Sequence, residues 1–296
     1  MIDTHTHLTD SKFKEDFEEV ISRAKAEKIE LVFCQSTSIE NAKEVLTLSS
    51  KYPEYIYPCL GLHPEDIAEM FLKDPKIPVK DFADLYMGNV SKLLEQNLGS
   101  LGFKAIGEIG LDYFMFKIDQ EISKLSDPEK LKLIELQKYY FEKLVLLAVQ
   151  NNLPVVIHSR EYPYVDEIFT FNKCINDILE ILDRVEKGSG KKVNAVFHCW
   201  TYTNKDVLIG ILEKGYYVSF TNIICYPKNT ILLELAKFVN ENYSKQIMLE
   251  TDSPYLPPAN RRGERCVPSD VKYVYDMFPT SRDQIDSNAN IFFNIV

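Results

Sequence analysis

The chain has 296 residues, of which 45% are hydrophobic and 26% charged, and carries a net charge of −10 at neutral pH. That length suits one large domain, or at most two, burying about 75% of its extended surface with no need of disulfide staples. The negative balance argues against a protein that coats nucleic acid through its overall field, though not against one that neutralises phosphates locally. No run of about 18 apolar residues is present to span a membrane.

Short apolar runs alternate with stretches of helical spacing. A strand at Ile2–His5 precedes a helix over Phe13–Lys28, with apolar positions at Phe13, Phe17, Val20, Ile21 and Ala24. Strand Leu31–Cys34 leads to a helix at Ile39–Lys51, and Tyr55–Leu60 is the third strand. A polar and partly helical excursion over His63–Gly102, with a helix at Phe82–Gln96, comes before the fourth strand, Phe103–Ile106. The helix Leu131–Asn151 repeats apolar residues with a period near 3.6. Then follow strand Pro154–Ile157, helix Ile175–Glu186, strand Val193–Phe197 and helix Val207–Lys214. Strand Tyr216–Phe220, helix Thr230–Asn240 and strand Gln246–Leu249 complete the series.

Eight strands separated by helices are the pattern of a (β/α)8 TIM barrel, usually about 250 residues long. The surplus falls in the His63–Gly102 excursion, a Met115–Lys130 loop and the C-terminal tail. No repeat or Gly/Ser linker interrupts the chain, so one domain over 1–296 is expected. An open doubly wound sheet also alternates strands and helices, but it gathers its site at one switch point. Here candidate ligands follow strands one, three, four, five, six and eight, and neither GxGxxG nor GxxxxGKS/T is present. The closed barrel brings those strand ends together.

The six cysteines, Cys34, Cys59, Cys174, Cys199, Cys225 and Cys266, form no CxxC pair. They read as reduced, mostly buried thiols of an intracellular protein. No charged segment and long apolar run open the chain, so no signal peptide is expected, and the basic pairs Lys191-Lys192 and Arg261-Arg262 are too short to define a nuclear signal. The expected location is cytoplasmic, with the nucleus open.

All five histidines stand where an apolar run gives way to a loop: His5, His7, His63, His158 and His198. Glu108 and Asp252 stand in the same context. His5 and His7 lie two apart on a strand and so share one face. Four histidines and two carboxylates exceed the three protein ligands of a single open catalytic metal. Two ions about 3.5–4 Å apart, joined by one carboxylate, use all six. The expected division is His5, His7 and Asp252 on one divalent ion, His158 and His198 on the other, and Glu108 between them, at the C-terminal ends of the strands. A water activated between the ions is the nucleophile that such a centre generates, with Asp252 as its proton acceptor. Taken singly, Glu108 could pair with an arginine, Asp252 could cap a turn, and His63 reads equally as a loop or capping residue.

These residues lie in DTHTHL at the start, GLHP around His63, GEIGLDY over Gly107–Tyr113, PVVIHSRE around His158, FHCW at His198 and ETDSPYLPP from Glu250. The ordered set resembles, nearly end to end, the TatD-like metal-dependent deoxyribonucleases of the amidohydrolase superfamily. The resemblance implies a barrel enzyme that hydrolyses phosphodiester bonds, often from the 3′ end of DNA. It implies metal ligation by His5, His7, Glu108, His158, His198 and Asp252, with His63 acting near the metals in catalysis or substrate binding.

The chain departs from that family's pattern at Trp200-Thr201-Tyr202, at Phe220-Thr221-Asn222 and over Arg262–Pro268, where a glycine turn or an Asn-Glu pair is usual. Such changes are expected to reshape the mouth and leave the ligands intact. Arg160, Arg261, Arg262 and Arg265 are candidates for phosphate contacts, against the alternative of loop salt bridges. Trp200 leads the candidates for base stacking, followed by Tyr113, Phe114, Tyr202 and Tyr255, against the alternative of packing over the rim.

The expected activity is cleavage of single-stranded or frayed 3′ DNA ends with two divalent ions, zinc, magnesium or manganese. No membrane and no obligate protein partner is involved. A small-molecule amide or ester hydrolase built on the same ions is the alternative, and a non-catalytic binding protein ranks below both.

Overall fold

The computed structural model describes residues 1–75, 78–99 and 102–295. Its strands are β1 (Ile2–Thr6), β2 (Leu31–Gln35), β3 (Ile56–Leu62), β4 (Ala105–Asp112), β5 (Val155–Arg160), β6 (Ala195–Phe197), β7 (Tyr217–Phe220) and β8 (Ile247–Leu249). They form one sheet in the order β1 to β8. Helices lie between all successive strands, so the fold is the (β/α)8 barrel. The strands are buried along almost their whole length, as parallel strands covered by crossover helices must be.

The chain divides into two compact units. The first comprises Met1–Gln35, Lys43–Cys59 and Ala195–Val296. Within it β1 pairs with β2, β2 with the start of β3, β6 with β7 and β7 with β8. Just past β8 the chain also reaches β1: the His7 N–H donates to the Ser253 carbonyl at 2.7 Å, and the Asp252 N–H to the His5 carbonyl at 2.9 Å. Phe33 of β2, fully buried, stacks on Phe293 with centroids 3.7 Å apart.

The second unit comprises Ser36–Ala42 and Leu60–Asn194. Its centre is the β4–β5 pair, in which Gly110 stands opposite His158 and Asp112 opposite Arg160. The helix Asp127–Gln150 begins with a capping box, the Ser126 N–H donating to the Glu129 carboxylate at 2.9 Å. Against it lies the helix Lys173–Ser189, whose Asp177 accepts from Lys138 at 2.8 Å and from the Tyr113 hydroxyl at 2.7 Å.

All eight expected strands are present, but three carry on two or more residues past their expected ends. β3 continues to Leu62, β4 to Asp112 and β5 to Arg160. Gly61, Glu108, Gly110 and His158 therefore lie within strands instead of in loops. The two glycines serve close backbone approach. A Cβ on Gly61 would meet the Glu108 nitrogen at 2.3 Å, and one on Gly110 the His158 carbonyl oxygen at 1.9 Å. In the His63–Gly102 excursion the helices Pro64–Lys73 and Val79–Gln96 form, while residues 76, 77, 100 and 101 lie outside the described residues. The first expected helix is a 3-10 turn at Ser11–Phe13 followed by Phe17–Ala26.

Gly110→Ala is therefore expected to lower unfolding stability by about 3 kcal/mol or more, because backbone and not a flexible side chain blocks the added methyl. Urea unfolding measures it. A midpoint equal to that of the unsubstituted protein contradicts this reading of the strand pair.

Candidate metal centre

On β1 alternation places Asp3, His5 and the following His7 on one face. The His5 and His7 Nε2 atoms are 3.2 Å apart. Asp252 is delivered to them by the backbone bond to His5, its Oδ1 standing 3.7 Å from His5 Nε2 and 3.5 Å from His7 Nε2. Ligand atoms around one small divalent ion bound at about 2.0–2.2 Å stand roughly 3–3.5 Å apart, close to these spacings. His198, at the end of β6, stacks on His5 with ring centroids 4.0 Å apart. Ligand atoms of His5, His198 and Asp252 all lie within 4.8 Å of one another. His198, expected beside His158, is thus grouped with His5 and Asp252.

Burial favours protonation of Asp252, but the hydrogen bond from His7 and the nearby His5 and His198 outweigh it and hold the carboxyl below its usual range. Two further acids support this cluster. Glu250 is buried and accepts from the Cys199 N–H at 2.7 Å, with its Oε1 3.5 Å from His198 Nδ1. Asp3 is fully buried, which pushes its carboxyl well above the ordinary value, and it accepts from the Thr251 N–H at 2.9 Å and hydroxyl at 2.6 Å.

The second unit carries its own cluster of three buried residues, His63, Glu108 and His158, with ligand atoms within 4.8 Å of one another. His158 Nδ1 is 2.7 Å from Glu108 Oε1, and His63 Nε2 is 3.4 Å from the same oxygen and 3.3 Å from His158 Nδ1. His63 caps a helix and also stands beside the cluster. Its Nδ1 accepts from the Glu65 N–H at 3.2 Å, capping the helix Pro64–Lys73, while its Nε2 faces the cluster.

The opposite nitrogen of His158, Nε2, lies 3.0 Å from the Asp112 carboxylate. A carboxylate on the far side of a ligand imidazole fixes the ring and raises its basicity, the arrangement found behind metal-binding histidines. Burial opposes the imidazolium of His158, but the bonds to Asp112 and Glu108 prevail and raise its pKa to about 9. Sequence reasoning did not single out Asp112, Asp3 or Glu250. For Asp112 a signal was present: it lies four residues past Glu108, so on one strand both carboxylates share a face. The donor sets, two imidazole-rich groups each with a carboxylate, fit divalent zinc or manganese.

The substrate candidates are more scattered. Arg160 is 44% exposed, with its Nη1 3.8 Å from Asp112 and its guanidinium 4.5 Å over the Phe114 ring. Trp200 is buried at 3% exposure, its indole N–H donating to the Tyr202 carbonyl at 2.9 Å, so it packs in the loop. Tyr113 is likewise fully buried. Arg261 pairs with Glu264 at 2.7 Å and Asp270 at 2.8 Å, and Arg265 grips both Asp16 oxygens at 2.9 and 2.5 Å. Arg262 is exposed and lies 5.3 Å over Tyr226. Asn222, expected to reshape the mouth, is fully buried and points its amide toward Cys266 Sγ at 3.7 Å.

The family model described as TatD-related DNase matches residues 2–292. The chain belongs to the TatD-related DNase family. An uncharacterized metal-dependent hydrolase YabD of Bacillus subtilis is 28% identical over 274 residues, 93% of this chain and 88% of that protein. A protein named 3′-5′ ssDNA/RNA exonuclease TatD, of Pectobacterium parmentieri, is 25% identical over 274 residues, 90% of this chain and 86% of that protein. Among solved structures, the TatD homologue YJJV of Escherichia coli superposes with a TM-score of 0.76 at 22% identity, covering 100% of this chain and 98% of that one. A TatD-family hydrolase of Entamoeba histolytica gives 0.70 at 19%, covering 99% and 97%. This TatD-family member is a metal-dependent hydrolase acting on ester bonds, and no helix among its described residues is long and apolar enough to cross a membrane.

Two outcomes are expected for the TatD-family chain. Asp112→Asn is expected to weaken metal binding about 10–100-fold, measured by competition with a chelator; unchanged affinity contradicts the supporting role of Asp112. A proton on His158 also competes with metal. Its raised pKa means the proton's stabilising contribution is complete below about 6.5 and lost as pH rises through about 9. The metal-free protein is thus expected to lose stability across that window while apparent metal affinity rises, by up to about tenfold per pH unit. Metal affinity that stays flat with pH contradicts it.

Proposed function

We propose that the chain is a deoxyribonuclease that removes nucleotides from the 3′ end of single-stranded or frayed DNA, using two divalent ions of zinc, magnesium or manganese. The reading rests on one observation above all: the two groups of imidazole and carboxylate, each with ligand atoms within 4.8 Å of one another, carried in or just after the strands of a TatD-family barrel. The relatives named 3′-5′ ssDNA/RNA exonuclease support the choice of substrate.

In this proposal His5, His7, His198 and Asp252 would hold one ion, and Glu108 and His158, with His63 beside them, would hold the other. When bound, such ions polarise a phosphoryl oxygen and lower the pKa of water toward neutrality. Asp252, held ionised by its histidine neighbours, takes the proton of the attacking water. Glu108 stays fixed by its 2.7 Å bond partner His158, and His63 Nε2 is placed to donate to a phosphate oxygen. The whole chain acts as one catalytic domain, without a membrane or an obligate protein partner. Its six cysteines, none in a disulfide among the described residues, suit the reducing cytoplasm or nucleus.

The test is degradation of a 5′-labelled single strand, metal by metal, beside Glu108→Ala. A ladder shortening from the 3′ end, reduced at least about 100-fold in the variant, is expected. Intact DNA with turnover of neutral esters or amides instead transfers the activity to a small-molecule hydrolase.

A further inference from the structure

Nine large apolar side chains are exposed among the described residues, and four of them, Ile118, Tyr164, Val165 and Phe171, at 54%, 57%, 68% and 69%, fall in two short segments of the second unit. One segment is the short helix Met115–Ile118, which follows β4; the other is the loop 161–172, which follows β5. The two touch: Lys117 Nζ lies 4.0 Å over the Tyr164 ring and also hydrogen-bonds the Tyr164 hydroxyl. Apolar surface concentrated in this way marks a binding face.

The loop is held in place by its own polar groups. Glu161 accepts from the Cys174 and Ile175 N–H groups at 3.0 and 2.9 Å, capping the helix Lys173–Ser189. Asp166 accepts from Ile168 and Phe169 at 2.8 and 2.7 Å. Tyr162 stacks on the buried Phe169 at 4.3 Å, and Phe169 packs on Phe116 at 5.2 Å. Tyr164 is thus presented from a fixed base.

This face leads directly to the candidate metal ligands. His158 bonds Asp112, Asp112 neighbours Arg160, and Arg160 lies over Phe114, three residues before Lys117. Half-buried Phe114 and exposed Tyr164 thus alternate with the cations Arg160 and Lys117. Lys117 makes no ion pair among the described residues. Aromatic rings interleaved with cations are what unpaired bases and their phosphates require, whatever the sequence.

We infer that Phe114, Lys117, Arg160 and Tyr164 form a binding face for single-stranded nucleic acid, with bases stacked on the two rings and phosphates on the two cations. The inference rests on the nuclease reading and deepens it: it places the strand beside His158 and gives the stacking role expected of Trp200 to Tyr164 and Phe114.

The test uses the full metal-loaded chain and a fluorescein-labelled oligodeoxythymidylate with hydrolysis-resistant phosphorothioate linkages, read by anisotropy. Tyr164→Ala is expected to weaken binding about tenfold, the loss of one stacked base, while Tyr164→Phe keeps the affinity. Lys117→Glu weakens binding and flattens its salt dependence, whereas Lys187→Glu, in the last turn of the helix Lys173–Ser189 and away from its capped start, changes neither. Both side chains tested are exposed, so the substitutions leave the core intact. Native affinity in Tyr164→Ala and Lys117→Glu, with an ordinary phosphodiester strand still degraded by the unsubstituted protein, overturns the face alone. An unsubstituted protein that neither binds the resistant strand nor degrades its phosphodiester counterpart overturns the nuclease reading and the face together. A dimer dispersed by Phe171→Ser with strand affinity unchanged assigns the surface to a second copy of the chain, and also overturns it.

Discussion

A charged side chain buried among apolar strands costs several kcal/mol, on the order of the whole margin of stability, unless a partner compensates it. β1, β4 and β5 carry Asp3, His5, Glu108, Asp112 and His158 in segments that are otherwise closed to water. Their mutual pairing is the constraint on which the rest of the structure depends. Imidazole faces carboxylate in both units: His5 and His7 against Asp252, His158 against Glu108 and Asp112. A chain that keeps so many titratable groups in its core gives up apolar packing there, and metal binding is the use we propose for them.

The supporting carboxylates fix the orientation of the candidate ligands. Asp112 sits behind His158, Glu250 near His198, and Asp3 clamps Thr251 next to Asp252. Each comes from a strand or from the residue just after one, so backbone registers set the geometry and flexible loops do not. The glycines are part of the same arrangement. Gly61 and Gly110 let backbones approach to distances that any side chain would block, and both lie against the peptide of a candidate ligand.

The eight strands, the barrel and the seven candidate site residues were legible because a ligand at a strand end interrupts an apolar run in a recognisable way. The ends of β3, β4 and β5 were not. Glu108 and His158 read as the points where an apolar run gives way to a loop, yet the strands continue through them. Asp112 was hidden in a motif read for Glu108, although strand periodicity puts the two on one face. Trp200 and Tyr113 were read as available rings because adjacency to a ligand says nothing of which way a loop folds; both are buried. Arg261 and Arg265 looked like a basic cluster, but Asp16, distant in sequence, and Glu264 and Asp270, nearby, neutralise them. The exposed rings of the loop 161–172 carry no motif, and only their exposure distinguishes them.

The central claim is that the histidine–carboxylate groups are metal sites. Anomalous scattering from crystals grown with manganese or zinc tests it most directly. The account predicts two peaks per chain, one in contact with His158 and Glu108 and the other with His5, His7 and Asp252. Crystals with no peak at either group, or with metal bound only at surface carboxylates, would contradict it.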